Sequence, residues 1–232
     1  MNLILLETAE NEVRLPRADP RAVHLLEVLR RRVGEACDVG VVDGPQGRGT
    51  VTAIDDEALT LHLAWNPAPP PPLDPITLLV GLPRPQTARK ILAETAALGV
   101  GALHFVGARK GEPSYADSTL WRSGEWRRHL VAGAGQAFST RVPEVTFGRS
   151  LEEVLAGTIA GTRLALDNYA SSGRLSAAAV AGAALLALGP ERGWADEERA
   201  LLRRNGFLLV DLGPRILRVE TACVAAVALV KA

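Results

Sequence analysis

The 232-residue sequence predicts an α/β protein: a C-terminal parallel sheet covered by helices on both faces, preceded by a small β-rich domain. Three observations carry this. Beyond residue 75, short runs that are apolar throughout alternate with longer runs of helical spacing, the pattern of strands buried on both faces. Before residue 66 the runs are short, β-branched or alternating, with turn residues between them. Between the two regions lies Asn66-Pro-Ala-Pro-Pro-Pro-Pro-Leu-Asp-Pro75. Successive prolines lack the donors that a helix or sheet requires and hold an extended, semi-rigid spacer. The domains are therefore assigned as residues 1–70 and 71–232.

In chain order, residues 1–8 are apolar but short, and residues 20–32 read as one helix. Residues 36–43, 49–54 and 58–64 read as strands, with Asp43-Gly44-Pro45-Gln46-Gly47 and Asp55-Asp56-Glu57 supplying turns. That combination predicts a small antiparallel barrel or sandwich. After the linker, residues 76–81 read as a strand and residues 86–98 as a helix stopped by Gly99. Strands follow at 102–106, 163–167, 184–188 and 207–212, and helices at 120–138, 196–205 and 221–230. The last helix is apolar nearly all round and is predicted to be buried. Ligands of parallel sheets sit at the carboxyl ends of the strands, which directs attention to the residues after Leu188 and Leu212.

Composition narrows the chemistry. Lys and Arg number 26 and Asp and Glu number 26, which argues against a general polyanion coat, although a local basic patch fits inside a neutral total. Cys37 and Cys223 stand far apart and form neither a CxxC pair nor a disulfide framework, which suits a reducing cytosol. No run approaches the roughly 20 apolar residues of a membrane span, and the N-terminus lacks a basic region or cleavage site. The expectation is a cytoplasmic protein with no membrane association. His24, His62, His104 and His129 lack ligand spacing, so no metal site is expected. Gly99-Val-Gly-Ala-Leu ends a helix rather than opening one, and there is no Walker A run or GxSxG elbow.

Two loops at strand ends carry the case: Leu188-Gly-Pro-Glu-Arg-Gly-Trp194 and Leu212-Gly-Pro-Arg-Ile-Leu-Arg-Val-Glu-Thr-Ala222. Each opens with Gly-Pro directly after a buried strand. Glycine lets backbone approach a flat ligand, and proline fixes the path of the loop. Taken singly, each also reads as a tight strand-to-helix turn with a glutamate favoured near a helix N-terminus.

Together, at this spacing, the loops resemble the SPOUT class of methyltransferases and specifically the RsmE family, which methylates N3 of a uridine in small-subunit (16S) ribosomal RNA. The family's GPEGG, followed after about twenty residues by LG-x-RILR-x-ETA, corresponds to Gly189-Pro-Glu-Arg-Gly193 and Leu212 to Ala222. His24-Leu-Leu-Glu-Val-Leu-Arg30 with Gly34 resembles its H-x-x-x-VLR segment. Gly81-Leu-Pro, Lys90, Glu94 and Leu98-Gly-Val100 resemble the opening of its catalytic domain, and Gln136, Arg141 and Pro143 its EQ-x-x-R-x-x-P helix end. The chain departs from the pattern at Arg192, where the family keeps glycine, and at Ala134-Gly135, where it has an acid.

The resemblance implies an S-adenosylmethionine-dependent 16S ribosomal RNA uracil-N3 methyltransferase. Its C-terminal domain is implied to be a SPOUT-type sheet tied in a trefoil knot, one of the rare exceptions to unknotted topology, and its N-terminal domain a PUA-like RNA-binding β-barrel. A homodimer paired through the knot helices is implied, acting on ribosomal RNA within the small subunit. Cofactor ligands are expected at Leu166, Leu188, Gly189, Pro190, Glu191, Gly193, Leu212, Gly213, Ile216 and Leu217. Arg218 and Glu220 are the catalytic candidates. Uridine N3 must lose a proton, and a base or a cation that stabilises the anion helps. His24, Arg30, Arg31, Arg32, Arg89 and Lys90 are expected at the RNA, as cations contacting phosphate, with Arg21 and Arg84 beside them. Trp121 and Trp126 are read as interface packing rather than base-stacking residues. Two further readings stay open: a non-enzymatic RNA-binding or ribosome-assembly protein that has lost the cofactor through Arg192, and a SPOUT methyltransferase acting on another RNA site.

Overall fold

The structure, a computed structural model, describes residues 2–157, 160–178 and 180–232. They form two compact units, Met1–Pro72 with Ala134–Val142, and Leu73–Gly133 with Pro143–Ala232. Residues 134–142 thus lie with the first unit, which a single cut at the prolines does not anticipate.

The first unit is a five-stranded sheet in the order β1-β3-β4-β5-β2. Its strands are β1 (Ile4–Leu6), β2 (Glu12–Pro16), β3 (Ala36–Val41), β4 (Gln46–Ile54) and β5 (Ala58–Trp65). The sheet is mixed rather than antiparallel throughout, because β1 pairs parallel with β3. β1 is only three residues long and β2 is mostly exposed, so neither carries a strong periodic signal. Ile4, Leu15, Leu25, Val39, Val51, Leu59 and Leu61 form its core. Residues 134–142 are tied into this unit by Leu3 N–H donating to Gly135 O (3.0 Å), Asp43 N–H to Thr140 O (2.8 Å) and Gln46 Nε2 to Phe138 O (2.9 Å).

The helix expected over residues 20–32 is shorter. α1 (Pro20–Val23) is capped by the Asp19 side chain and has Pro at its start. It widens into a π-turn over His24–Val28. Arg30 then adopts φ 53°, and Arg31 N–H closes onto Leu25 O at 2.9 Å, a wider version of the left-handed ending of ordinary helices. The apolar stripe runs out here: Ala22 and Leu25 are fully buried, whereas Val28 is 65% exposed. Arg30, Arg31 and Arg32 therefore lie beyond the helix, not on it.

The second unit is a six-stranded, wholly parallel sheet in the order β11-β9-β10-β6-β7-β8. Its strands are β6 (Asp74–Gly81), β7 (Val100–Gly107), β8 (Glu144–Ser150), β9 (Thr162–Leu166), β10 (Ala184–Leu188) and β11 (Leu208–Val210). Its helices are α2 (Pro85–Ala97), α3 (Thr119–Arg122), α4 (Glu125–Gln136, counted here as far as Gly133), α5 (Leu151–Leu155), α6 (Asp196–Arg204) and α7 (Val219–Lys231). Leu79, Ala187 and Ala165 share one row of the sheet and pack with Val154 of α5, Leu202 of α6 and Trp194. Successive strand residues face opposite ways, so Leu78, Leu186 and Leu164, also buried, serve the other layer, where α2 and α7 pack together and α7 reaches β10.

Three expectations change in this unit. The run 120–138 splits into α3 and α4 because Gly124 takes φ 76° between them. The expectations omit β8 and α5: β8 is an edge strand with a polar, half-exposed sequence, and α5 is a single capped turn. The last helix is buried on one side only, through Val219, Cys223, Ala226 and Val227, and Leu229 stands 44% exposed.

A Cβ at Gly133 of α4 would collide with the backbone of Ala93 in α2. Replacing Gly133 by Ala is therefore expected to lower the unfolding free energy by about 1–3 kcal/mol, although the same change in a free helix gains about 1 kcal/mol. Urea denaturation reads the sign, and a stabilised variant would show that the two helices have room to separate.

Candidate active site

β9 and β10 run side by side and end together at Leu166 and Leu188. The loops leaving them, with the segment that enters α7, wall a cleft of about 680 Å³. Each loop is held by a specific contact.

The loop after β10 turns back at once: Gly193 N–H donates to Pro190 O at 2.7 Å, and Gly193 takes φ 68°. A Cβ on Gly189 would lie 2.9 Å from Gly193 and from the nitrogen of Trp194, so the turn closes only around glycine. Gly81, at the end of β6, is equally constrained, since a Cβ there would sit 2.7 Å from the nitrogen of Pro190. Glu191 reaches sideways and accepts from Arg84 N–H at 3.0 Å, with the Arg84 guanidinium 3.5 Å from the same oxygen. Arg192 is exposed at the rim in an ordinary backbone conformation.

The loop after β9 is fixed by Asp167. Its carboxylate accepts from the N–H groups of Tyr169 and Ala170, both at 2.8 Å, and from Arg199 Nε of α6 at 2.7 Å. The ion pair is buried, with the two side chains 2% and 9% exposed. Arg199 also reaches the outward-facing Asp196 at 2.6 Å and lies over the Tyr169 ring.

The loop after β11 is set by Asp211, which accepts from Gly213 N–H at 2.7 Å and Ser171 Oγ at 2.9 Å. Both donors favour the ionised form and hold its carboxyl below the usual range. Beyond it, no hydrogen bond to the main chain of Ile216 or Leu217 is found among the described residues. Ile216 is 74% exposed.

Glu220, in the first turn of α7, meets Lys90 Nζ at 3.2 Å. Burial pushes its carboxyl up, but helix N–H donation, Lys90 and Arg218 outweigh burial and hold it below the usual carboxylate range. It is ionised at neutral pH and is a weak base.

Leu166, Leu188, Gly189, Pro190, Glu191, Gly193, Ile216, Leu217, Arg218 and Glu220 are thus brought to one cleft. Leu212 and Gly213 do not line it. Gly213 instead borders a neighbouring cleft with Asn168, Arg174 and Asp211, because the chain bends at φ 115° before returning to the first cleft at Ile216. Sequence reasoning missed Asp167, Asn168 and Tyr169, which do line the main cleft. The available signal was an aspartate directly after a buried strand, at the end where ligands gather.

The basic residues separate. Lys90 is committed to Glu220. Arg89 is turned onto Glu125 at 2.9 Å, where His129 also converges at 3.1 Å, so its guanidinium serves the unit internally. Arg21 pairs with Asp19. Arg30 and Arg32 are exposed beyond the π-turn, while His24 and Arg31 are partly buried. Trp121 is buried between Phe105 and Phe147, and Trp126 packs on Phe147, as expected for packing residues. Among the described residues no group of His, Cys, Asp and Glu has metal-binding geometry, and no helix is long and apolar enough to cross a membrane.

The RNA methyltransferase domain family matches residues 69–231. The chain is 33% identical to the ribosomal RNA small subunit methyltransferase E of Treponema pallidum, covering 100% of this chain and 91% of that protein. A crystal structure of a ribosomal RNA small subunit methyltransferase E from Neisseria gonorrhoeae, bound to S-adenosyl methionine, aligns with a TM-score of 0.78 at 26% identity, over 98% of this chain and 95% of that one. A Legionella pneumophila structure with bound S-adenosylmethionine has the same fold, with a TM-score of 0.82 at 21% identity over 98% and 96%.

Arg89 first, and His129 second, hold the Glu125 carboxyl down to about 2 from an ordinary 4.5. A depressed carboxyl contributes stability that is complete above its unfolded value and is lost as pH falls toward its folded value. Glu125→Gln is expected to remove that contribution, flattening the fall of Tm between pH 4.5 and about 2. A variant curve parallel to the wild-type curve would show that Glu125 does not couple to folding.

Proposed function

Because the chain belongs to the ribosomal RNA small subunit methyltransferase E family of RNA methyltransferases, we propose that it binds S-adenosylmethionine in this cleft and methylates N3 of a uridine in 16S ribosomal RNA. The observation that carries the proposal is the cleft itself: bare, tightly turned loops at the carboxyl ends of adjacent parallel strands, with unclaimed main-chain groups at Ile216 and Leu217. The residues fit such a cofactor. Gly189 lets the loop close tightly and Gly193 leaves open space beside it, the exposed Ile216 supplies an apolar contact, and main-chain donors and acceptors suit an adenine edge.

Bound there, the cofactor supplies an electrophilic methyl carbon on a sulfonium. The protein's part is to hold the base nitrogen in line with that carbon. Glu220 is held too low to act as an effective base, so it is assigned to anchoring Lys90 and the start of α7. Arg218, at the N-cap of α7 and on the cleft wall, is assigned to stabilising the uridine anion formed as N3 gives its proton to solvent water. Arg192 does not argue for a cofactor-free scaffold, because the left-handed position of the loop belongs to Gly193 and is still glycine.

The trefoil knot belongs to this proposal. The bridge between Arg174 and Asp211 draws residues 167–175 along the exit of β11, which supports threading of the chain on its way to α7. The first unit is proposed as a PUA-like RNA-binding domain with Arg30 and Arg32 as its phosphate contacts. The cytoplasm and the small ribosomal subunit are proposed as the setting. A homodimer through α7 accounts for its exposed apolar side at Leu229; light scattering is expected to give twice the chain mass, and a monomer at micromolar concentration would overturn it.

Incubation of the purified chain with small subunits and methyl-labelled S-adenosylmethionine, followed by mapping of the modified nucleotide, tests the function. N3-methyluridine in 16S RNA is expected; label on another base or RNA class would overturn the assignment. Gly81→Ala is expected to displace Pro190 and weaken cofactor binding by about tenfold or more, given that overpacking costs about 1–3 kcal/mol. Unchanged affinity in calorimetry would detach that loop from the site.

A further inference from the structure

We propose that Arg192 is a positioning residue that binds a backbone phosphate of the RNA at the mouth of the cofactor cleft. This rests on the function proposed above and adds a residue to it. Charge matching around the cleft singles this residue out. Each carboxylate on the cleft wall has its own cation: Asp167 has Arg199, Glu191 has Arg84 and Glu220 has Lys90. Among the described residues, Arg192 and Arg218 line the same cleft without an ion pair. Arg218 favours ionised Glu220 from a distance, which leaves Arg192 the unmatched group.

The backbone accounts for how it is presented. Arg192 sits at the tip of the turn closed by Gly193 N–H to Pro190 O, its neighbour Glu191 is turned away onto Arg84, and its side chain is exposed. The cofactor carries a sulfonium and an ammonium against one carboxylate, so its net positive charge does not call for an added cation at the rim. An RNA substrate brings one anionic phosphate per nucleotide, and a guanidinium fixed on a short turn is suited to grip it in two places.

The test uses the full chain with Arg192→Ala, Arg192→Gly and Arg192→Lys, reading S-adenosylmethionine affinity by calorimetry and kcat and KM for small subunits across a salt series. Unchanged cofactor affinity is expected, with KM for the RNA raised about tenfold in the Ala and Gly variants. The slope of log KM against log salt is expected to fall by about one, with Lys restoring it. Cofactor affinity falling in parallel would assign Arg192 to the cofactor carboxylate and overturn the proposal, as would an unchanged KM and salt slope. A wild-type chain that binds no S-adenosylmethionine would overturn the function itself, a result separate from any behaviour of the variants.

Discussion

The buried pair between Asp167 and Arg199 is the interaction on which the cleft depends. Two charges this far from water are costly unless every lone pair and proton finds a partner. Here the carboxylate is filled by two backbone N–H groups and a guanidinium, and the guanidinium reaches on to Asp196. A buried pair of this kind is weak evidence for stability, but it is demanding about geometry. It accepts one arrangement of the loop after β9 and one rotation of α6. The opposite wall is held separately: Pro190 occupies the space above Gly81 that a Cβ would fill, and Glu191 accepts from Arg84 N–H.

The sheet was legible in the sequence where burial on both faces imposed a continuous apolar run. Residues 184–188 were read to the residue as β10, because each position faces a packed layer. Legibility failed where only one face, or none, is buried. β8 carries Glu144, Thr146 and Arg149 at the open edge, so its composition looks like a loop, and β1 is too short to show a period. The helix over 20–32 failed for another reason: its spacing fits a helix as far as Leu29, and nothing local announces that the turn widens at His24 and ends at Arg30.

The site divides along a similar line. Gly189, whose role rests on lacking a side chain, is visible as a glycine beside proline. Gly213 looks the same in sequence but serves another purpose: a Cβ there finds Arg174 no nearer than 3.5 Å, and glycine is required by φ 115° alone. Space and backbone angle are different reasons for one residue type, and sequence does not distinguish them. Charged residues are harder still. Lys90, Arg89 and Arg84 read as equivalent cations in α2 and at its cap, yet their partners are Glu220, Glu125 and Glu191, which lie 36 to 130 positions away. No local pattern reports a partner at that separation.

This separation explains why net charge says so little about the chain. Twenty-six cations balance twenty-six anions, but the total does not say which of them face each other, and what an RNA strand meets at the cleft is what the local pairs leave over. Around the cleft the pairing is nearly complete, so the field there is set by very few groups. A cleft neutralised in this way suits a cofactor that is itself cationic, since a strongly positive wall would repel the sulfonium along with attracting the phosphate. The surplus charge at the exposed Arg192 acts through water, whose high dielectric weakens its effect on the sulfonium. On the proposed reading, the floor is left to the cofactor and Arg192 at the rim to the strand. If Arg192 grips the strand as proposed, this chain has at the rim a phosphate contact that the glycine of the family pattern cannot make.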